Sequence, residues 1–246
     1  MDIEIFMFKV MTALYNMNAP IVFKGAMVLK AIQYKIGNPS GLERETHDMD
    51  GDWCGQTPSM DYLTNLIQQA VYNAGYFSIR VIATREYGEK RSAEFSFYDS
   101  NNMLIVSMDL SIKPNNSYML YSLASDINFI GQSIDKIIAD KVLVVSSRTV
   151  MRRIKDVIDL YILSYIWRGN NINILQIIKS SDRELNIFQS FTMRYDELSH
   201  AYSKYKNKAS CLDFNIVYNR VLKFVSPFVN NINYNVYWNG DDWING

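Results

Sequence analysis

Two aspartates one residue apart, Asp48 and Asp50, are the sharpest chemical feature of the sequence. On an extended strand, residues i and i+2 leave the same face, so both carboxylates project side by side. Carboxylates held that close repel unless a cation lies between them. A hard divalent ion, Mg²⁺ or in its place Mn²⁺, takes carboxylate oxygens together with substrate phosphates. A third acid fits the same picture. In segment 103–112, Leu104, Val106, Met108, Leu110 and Ile112 alternate with Ser107, Asp109 and Ser111. One face of that strand is core, and the other presents Asp109 between small hydroxyls. Three carboxylates on one sheet face are the donor set of a two-metal phosphoryl-transfer site, so Asp48, Asp50 and Asp109 are the predicted ligands of two ions.

Two basic features could meet the phosphates. Lys24-Gly25-Ala26 follows a short apolar run and opens a helical one. A small-residue turn there lets backbone N–H groups approach a phosphate, helped by the helix N-terminus. It is not a P-loop, because the Gly-x-x-x-x-Gly-Lys-Ser/Thr pattern is absent. Segment 136–155 carries Lys136, Lys141, Arg148, Arg152, Arg153 and Lys155 against the single acid Asp140. At about 100° per residue, Lys141, Arg148, Arg152 and Asp159 fall on one helical stripe, provided no break near Ser146-Ser147 disturbs it. Such a stripe could bind a triphosphate and stabilise charge in the transition state.

These residues need elements to hold them. Apolar spacing predicts helices over 2–16, 26–36 and 59–74, and a buried strand over 21–23. Period-two alternation predicts strands over 77–84, 93–98 and 103–112, with Tyr87-Gly88-Glu89-Lys90 and Asp99-Ser100-Asn101-Asn102 as hairpin turns. From Ser133 the chain reads as helices over 133–147, 149–167, 172–180, 193–206 and 212–224. Segment 230–246, rich in Asn, Gly and Trp, reads as an irregular tail that could stack Tyr237, Trp238 and Trp243 on RNA bases or pack over the helices. The fold class is α+β: a mixed sheet with helices in residues 1–128, then a helical domain in 129–246 that contributes the Lys/Arg segment.

Composition excludes other classes. Among 246 residues, 25 basic and 25 acidic side chains cancel, which argues against a uniformly basic nucleic-acid binder but allows a local basic site. Two cysteines, Cys54 and Cys211, suit a reducing cytoplasm and carry no pairing pattern. The acidic start Met1-Asp2-Ile3-Glu4 predicts no signal peptide, and no apolar run is long enough for a membrane span. With only His47 and His200, a His-rich zinc site is not expected.

The order of these features resembles the nucleotidyltransferase toxins of the AbiEii/AbiGii type, within the DNA polymerase β-like nucleotidyltransferase superfamily. Lys24-Gly25-Ala26 between a strand and a helix, then Arg44-x-Thr46-x-Asp48-x-Asp50, is similar to that group's Lys-Gly-Gly and Arg-x-Ser/Thr-x-Asp-x-Asp. Lys141-x4-Ser146-x-Arg148 is similar to its third motif, and Lys155-Asp156-x-x-Asp159-Leu160 to the segment that follows. The chain departs at Ala26, where the group has Gly or Ser, so no side-chain hydroxyl is offered to phosphate there. The resemblance covers residues 22–161 and matches the helical remainder only in class.

The resemblance implies a transferase of the EC 2.7.7 type, moving a nucleoside monophosphate from ATP, GTP or CTP to an acceptor hydroxyl. It implies Asp48, Asp50, Asp109, Lys141 and Asp159 as catalytic. It implies Lys24, Gly25, Ala26, Arg44, Thr46, Ser146, Arg148, Arg152 and Asp156 at the nucleotide. Asp156 and Asp159 remain alternatives for the functional acid, with helical spacing favouring Asp159. It further implies a tRNA 3′ end as acceptor, a cognate antitoxin encoded nearby, a role in a toxin–antitoxin or phage-defence pair, and a cytoplasmic location. A small-molecule or protein acceptor, and a non-catalytic nucleotide- or partner-binding module, are the other readings, the last favoured by Ala26.

Overall fold

Alternating apolar side chains and glycine-bearing turns shape the first part of the chain into a sheet flanked by helices. The computed structural model describes residues 1–42, 46–86, 92–124, 126–181, 183–205 and 212–245. The chain divides into two compact units, one of residues 1–35 and 45–133, the other of 36–44 and 134–246.

In the first unit, Asp2 caps helix α1 (Ile3–Asn16) by accepting from the backbone N–H of Glu4 and Ile5. Strand β1 (Ile21–Lys24) runs into α2 (Ala26–Ile36), and β2 (Asp48–Trp53) follows. Ser59 caps α3 (Met60–Asn73), whose Leu63, Ile67, Ala70 and Val71 are buried on one stripe. Then come β3 (Arg80–Arg85), β4 (Ser92–Tyr98), β5 (Leu104–Ile112), β6 (Tyr118–Ala124) and β7 (Ile127–Gln132). The seven strands form one mixed sheet in the order β3-β4-β5-β2-β1-β7-β6. The pairs β2–β5 and β1–β7 are parallel, and the others antiparallel.

One face of this sheet is core. Phe23, Met49, Phe95, Phe97, Met108 and Leu110 are all at most 1% exposed. Helix α1 packs against α3, β1 and β7, and Phe6 and Phe8 meet Phe97 and Phe129 edge-on and stacked respectively. The opposite face is therefore left to the polar members of each alternation.

The second unit begins with α4 (Ile134–Val145). A turn and a 3₁₀ segment (Val150–Arg153) lead into α5 (Ile154–Ile166), β8 (Gly169–Asn170), α6 (Asn171–Lys179), α7 (Gln189–Met193), α8 (Tyr195–Ser203) and α9 (Phe214–Val229). The segment expected to be an irregular tail is ordered instead: β9 (Val236–Trp238) and β10 (Trp243–Asn245) join β8 in a three-stranded sheet. Trp238 is fully buried and donates to Ser164 O at 2.8 Å, while Trp243 packs on Phe224. These indoles are core and closure, so a tail free to stack on bases is not what forms. Strands β6 and β7 and the short β8 have no period-two signal in the sequence. The expected 87–90 turn lies outside the described residues. Among the described residues no helix is long and apolar enough to cross a membrane.

Candidate active site

Strand register assembles a row of charges across the polar face of the first unit. Lys24 on β1 pairs with Asp50 on β2, Asp50 with Asp109 on β5, Asp109 with Glu94 on β4, and Glu94 with Arg85 on β3. Directly paired residues share a face, so the row reads cation, acid, acid, acid, cation. Asp48 and Asp52 flank Asp50 on the same face of β2, in register with Ser107 and Ser111. The expected alternation of β5 holds in its centre, with Val106, Met108 and Leu110 buried and Asp109 half-buried, while Leu104 at its start is exposed.

The strand–turn–helix feature meets this row. Gly25 has φ +71°, a left-handed conformation that glycine adopts without steric cost. A Cβ added to Gly25 would lie 2.6 Å from Asp50 Oδ2. The turn is thus both conformationally and spatially reserved for glycine, and it puts the start of α2 against the carboxylate. Ala26, the first residue of α2, is buried.

The neighbours of each acid are specific. Thr46 Oγ1 donates to Asp48 Oδ1. Arg85 lies 3.1 Å from Glu94 Oε2 and 2.5 Å from Asp109 Oδ2. Lys24, expected near the phosphates, directs its ammonium to Asp52 Oδ1 and to Ser111 Oγ at 3.2 Å. Asp52 is only 1% exposed; it also takes Asn115 Nδ2 at 3.0 Å and has Lys113 at 3.7 Å. Cys54, two residues on, has its thiol pushed up by burial, which keeps it protonated and a poor nucleophile. His47 is exposed. Arg44 lies outside the described residues, as does Cys211.

Asp52, Glu94 and Arg85 join the row beyond the residues that the motifs single out. Asp52 continues the Asp48-x-Asp50 alternation and was legible there. Glu94 sits between buried Ala93 and Phe95, so it too followed from period two. Arg85 did not, because its face depends on a bulge: Ala83 pairs with Phe95 but Arg85 pairs with Glu94, one residue fewer on β4.

The second unit holds a different ionic group. Lys141 on α4 lies 2.5 Å from Asp156 Oδ1 and 2.7 Å from Asp159 Oδ2, both on α5. Arg153 Nε donates to Asp156 Oδ2 at 2.7 Å. The two carboxyls are 3% and 1% exposed and Lys141 14%. Burial works against the charge of Lys141, but Asp159 and Asp156 outweigh it and hold the ammonium above its usual range. Burial likewise opposes ionisation of Asp156, and Lys141 and Arg153 prevail and hold it below the usual carboxylate range.

Lys141, Arg148, Arg152 and Asp159 do not share a single helical stripe. Helix α4 ends at Val145, and Ser146 to Thr149 form the break before the 3₁₀ segment. Lys141 and Asp159 do meet, but across two packed helices and not along one. Ser146 is buried, donating to Leu143 O and accepting from Asn186 N, so it fastens the break. Arg148 and Arg152 are exposed, outside the ionic group of Lys141.

The fit of a divalent cation can be tested on the first unit. Three acids on one face supply hard oxygen donors of the right type. As the side chains stand, no three His, Cys, Asp or Glu residues among those described are gathered closely enough to hold an ion. Two acids of this face already have partners: Asp109 faces Arg85, and Asp52 faces Lys24 and Asn115. The donor set fits in type, and Asp109 offers both oxygens to an ion only when Arg85 releases Oδ2.

No family model and no curated protein matches the sequence. Solved structures do match its architecture. JHP933 from Helicobacter pylori superposes with a TM-score of 0.54 at 14% identity, over 94% of this chain and 92% of that one. MenT4, a nucleotidyltransferase toxin from Mycobacterium tuberculosis, superposes with a TM-score of 0.56 at 11% identity, over 94% and 84%. The chain has the nucleotidyltransferase fold. At these identities the likeness establishes architecture alone.

Proposed function

We propose that this protein is a metal-dependent nucleotidyltransferase acting on an RNA acceptor, the tRNA 3′ end being the leading case, as the toxin of a toxin–antitoxin or defence pair. The observation that carries the reading is the Gly25 turn closing on Asp50, with Asp109 in register beside it. A backbone turn for phosphate next to a face of acids is the local chemistry of nucleotidyl transfer, and it sits here on the fold of such enzymes.

In this reading the backbone of the Gly25–Ala26 turn and the N-terminus of α2 receive the β- and γ-phosphates. Asp48, Asp50 and Asp109 would hold two Mg²⁺, which supply Lewis acidity at the α-phosphate and neutralise the leaving group. The acceptor hydroxyl oxygen bonds to the α-phosphorus as the bond to the bridging α–β oxygen breaks. The hydroxyl proton passes to Asp109 and pyrophosphate departs. Lys24, anchored on Asp52, keeps a positive charge beside the turn.

The test supplies radiolabelled NTPs with tRNA, other RNAs, small alcohols and proteins in separate reactions. Label in the tRNA 3′ end that disappears with Asp48→Ala is the expected result. Equal labelling by that variant overturns the mechanism. A second reading, a nucleotide-binding module without turnover, draws on Ala26, which offers no hydroxyl to phosphate. Saturable Mg²⁺-NTP binding with no label on any acceptor would select it.

A further inference from the structure

The bulge in β3 aims one side chain. Val81 and Ala83 pair with Phe97 and Phe95 on the core face. Regular alternation would send Arg85 to that same face, opposite Ala93. The register shift between Ala83 and Arg85 instead sets Arg85 opposite Glu94, on the face of the carboxylate row. Bulges recur next to functional sites because they re-aim a side chain in this way. Thr84 is accommodated at the shift, donating to Glu94 O at 3.2 Å. The delivered guanidinium then spans two strands, reaching Glu94 on β4 and Asp109 on β5.

We propose that Arg85 is the resident counter-cation of the row: it occupies Asp109 until a divalent cation takes that carboxylate, and then rests on Glu94, with Ser92 Oγ beside it. The inference rests on the metal-dependent reading above and adds two positioning residues to it. Arg85 sits on Asp109 Oδ2, so a cation that takes this oxygen must displace the guanidinium, and one on the other oxygen meets its like charge close by. Glu94 gives the displaced guanidinium a partner, so its charge stays beside the site. Arg85 is 47% and Asp109 39% exposed, which makes exchange of one cation for the other feasible where a sealed pair would resist it.

Mn²⁺ binding to the full chain without nucleotide, followed by electron paramagnetic resonance, tests this apart from turnover. Arg85→Ala is expected to tighten Mn²⁺ on the order of two- to fivefold, the range set by a half-exposed ion pair. Glu94→Gln is expected to weaken it in the wild-type background and to leave it unchanged in the Arg85→Ala background, because Glu94 acts through Arg85. Unchanged or weaker binding in Arg85→Ala overturns the proposal. So does equal weakening by Glu94→Gln in both backgrounds, which would make Glu94 a direct ligand. If Asp50→Ala abolishes Mn²⁺ binding while Arg85→Ala leaves it unaltered, the metal reading stands and this inference falls. If the wild type binds no Mn²⁺, both fall.

Discussion

Asp109 on β5 and Asp156 on α5 each meet a cation, yet in very different surroundings. Asp109 shares Arg85 in an ion pair that is close to half exposed. Asp156 and Asp159 share Lys141 in a group from which water is nearly excluded. In water, exchanging one cation for another costs little, because solvent stabilises each charge during the exchange. In a buried group the departing partner leaves a desolvated charge behind. The exposed pair on the sheet can therefore change partners at less cost than the buried group on α4 and α5. Substitutions should act mainly on binding in the first region and mainly on stability in the second.

Lys141→Met should show the largest stability effect. It removes the cation that two buried carboxylates share, a change worth about 3–5 kcal/mol. In a chain of this size that lowers the melting temperature by roughly 10 °C. A shift under about 3 °C would mean that the group is not structural and would erase the contrast between the units. A large shift would require any loss of transfer in Lys141 variants to be measured at a temperature where the variant is folded.

The contrast also explains what could be read from sequence. Alternation revealed the faces of β2 and β5, because one face of each is buried and the other polar; the Asp48, Asp50 and Asp109 trio follows from that. It hid β6, whose Tyr118, Met119 and Leu120 are exposed in succession at the sheet edge, so that no period-two pattern arises. The row's Lys24 was read as a phosphate ligand because Asp52, its partner, becomes visible only when the third member of the Asp-x-Asp alternation is followed into the core. Spacing places Lys141 and Asp159 on one stripe only if the helix continues through Ser146-Ser147, and it does not. The contact is real because α4 and α5 pack together, a tertiary fact that spacing cannot supply. Arg85 depended on a bulge, and a one-residue shift of face has no signature in composition.

Gly25→Ala should rank next. It forces a Cβ into a left-handed backbone and to within 2.6 Å of Asp50 Oδ2. The backbone strain alone is about 1 kcal/mol, and displacement of Asp50 adds to it. Chemical denaturation should show a loss of about 1–2 kcal/mol, and Mn²⁺ affinity should fall more than that loss implies. Unchanged Mn²⁺ affinity would separate the turn from the row.

Titration should distinguish the regions with less perturbation. The Asp156 carboxyl is held low, so its contribution is complete above its unfolded value of about 4 and is lost as pH falls through the still lower folded value. The Lys141 ammonium is held high, so its contribution is complete below its unfolded value of about 10.4 and is lost as pH rises through the folded value. Stability from this group should be flat between those limits. In Lys141→Met the alkaline flank should vanish and the acid flank should flatten or reverse, because burial then opposes the Asp156 charge with less to offset it; if the acid flank is unchanged in that variant, the pairing with Asp156 is not its source.

Asp48→Asn should have the smallest effect on stability, within about 0.5 kcal/mol. Asn keeps an oxygen that can accept from Thr46, and it removes one negative charge from a face where Asp50 and Asp52 are neighbours on the same strand. The same change removes a hard anionic oxygen from the proposed ion site, so Mn²⁺ binding and nucleotidyl transfer should fall steeply. Asp159→Asn should show the reverse weighting, with the melting temperature falling well before any site-specific effect can be read. If Asp48→Asn and Asp159→Asn destabilise equally, the difference in burial between the two regions does not govern how their acids are used.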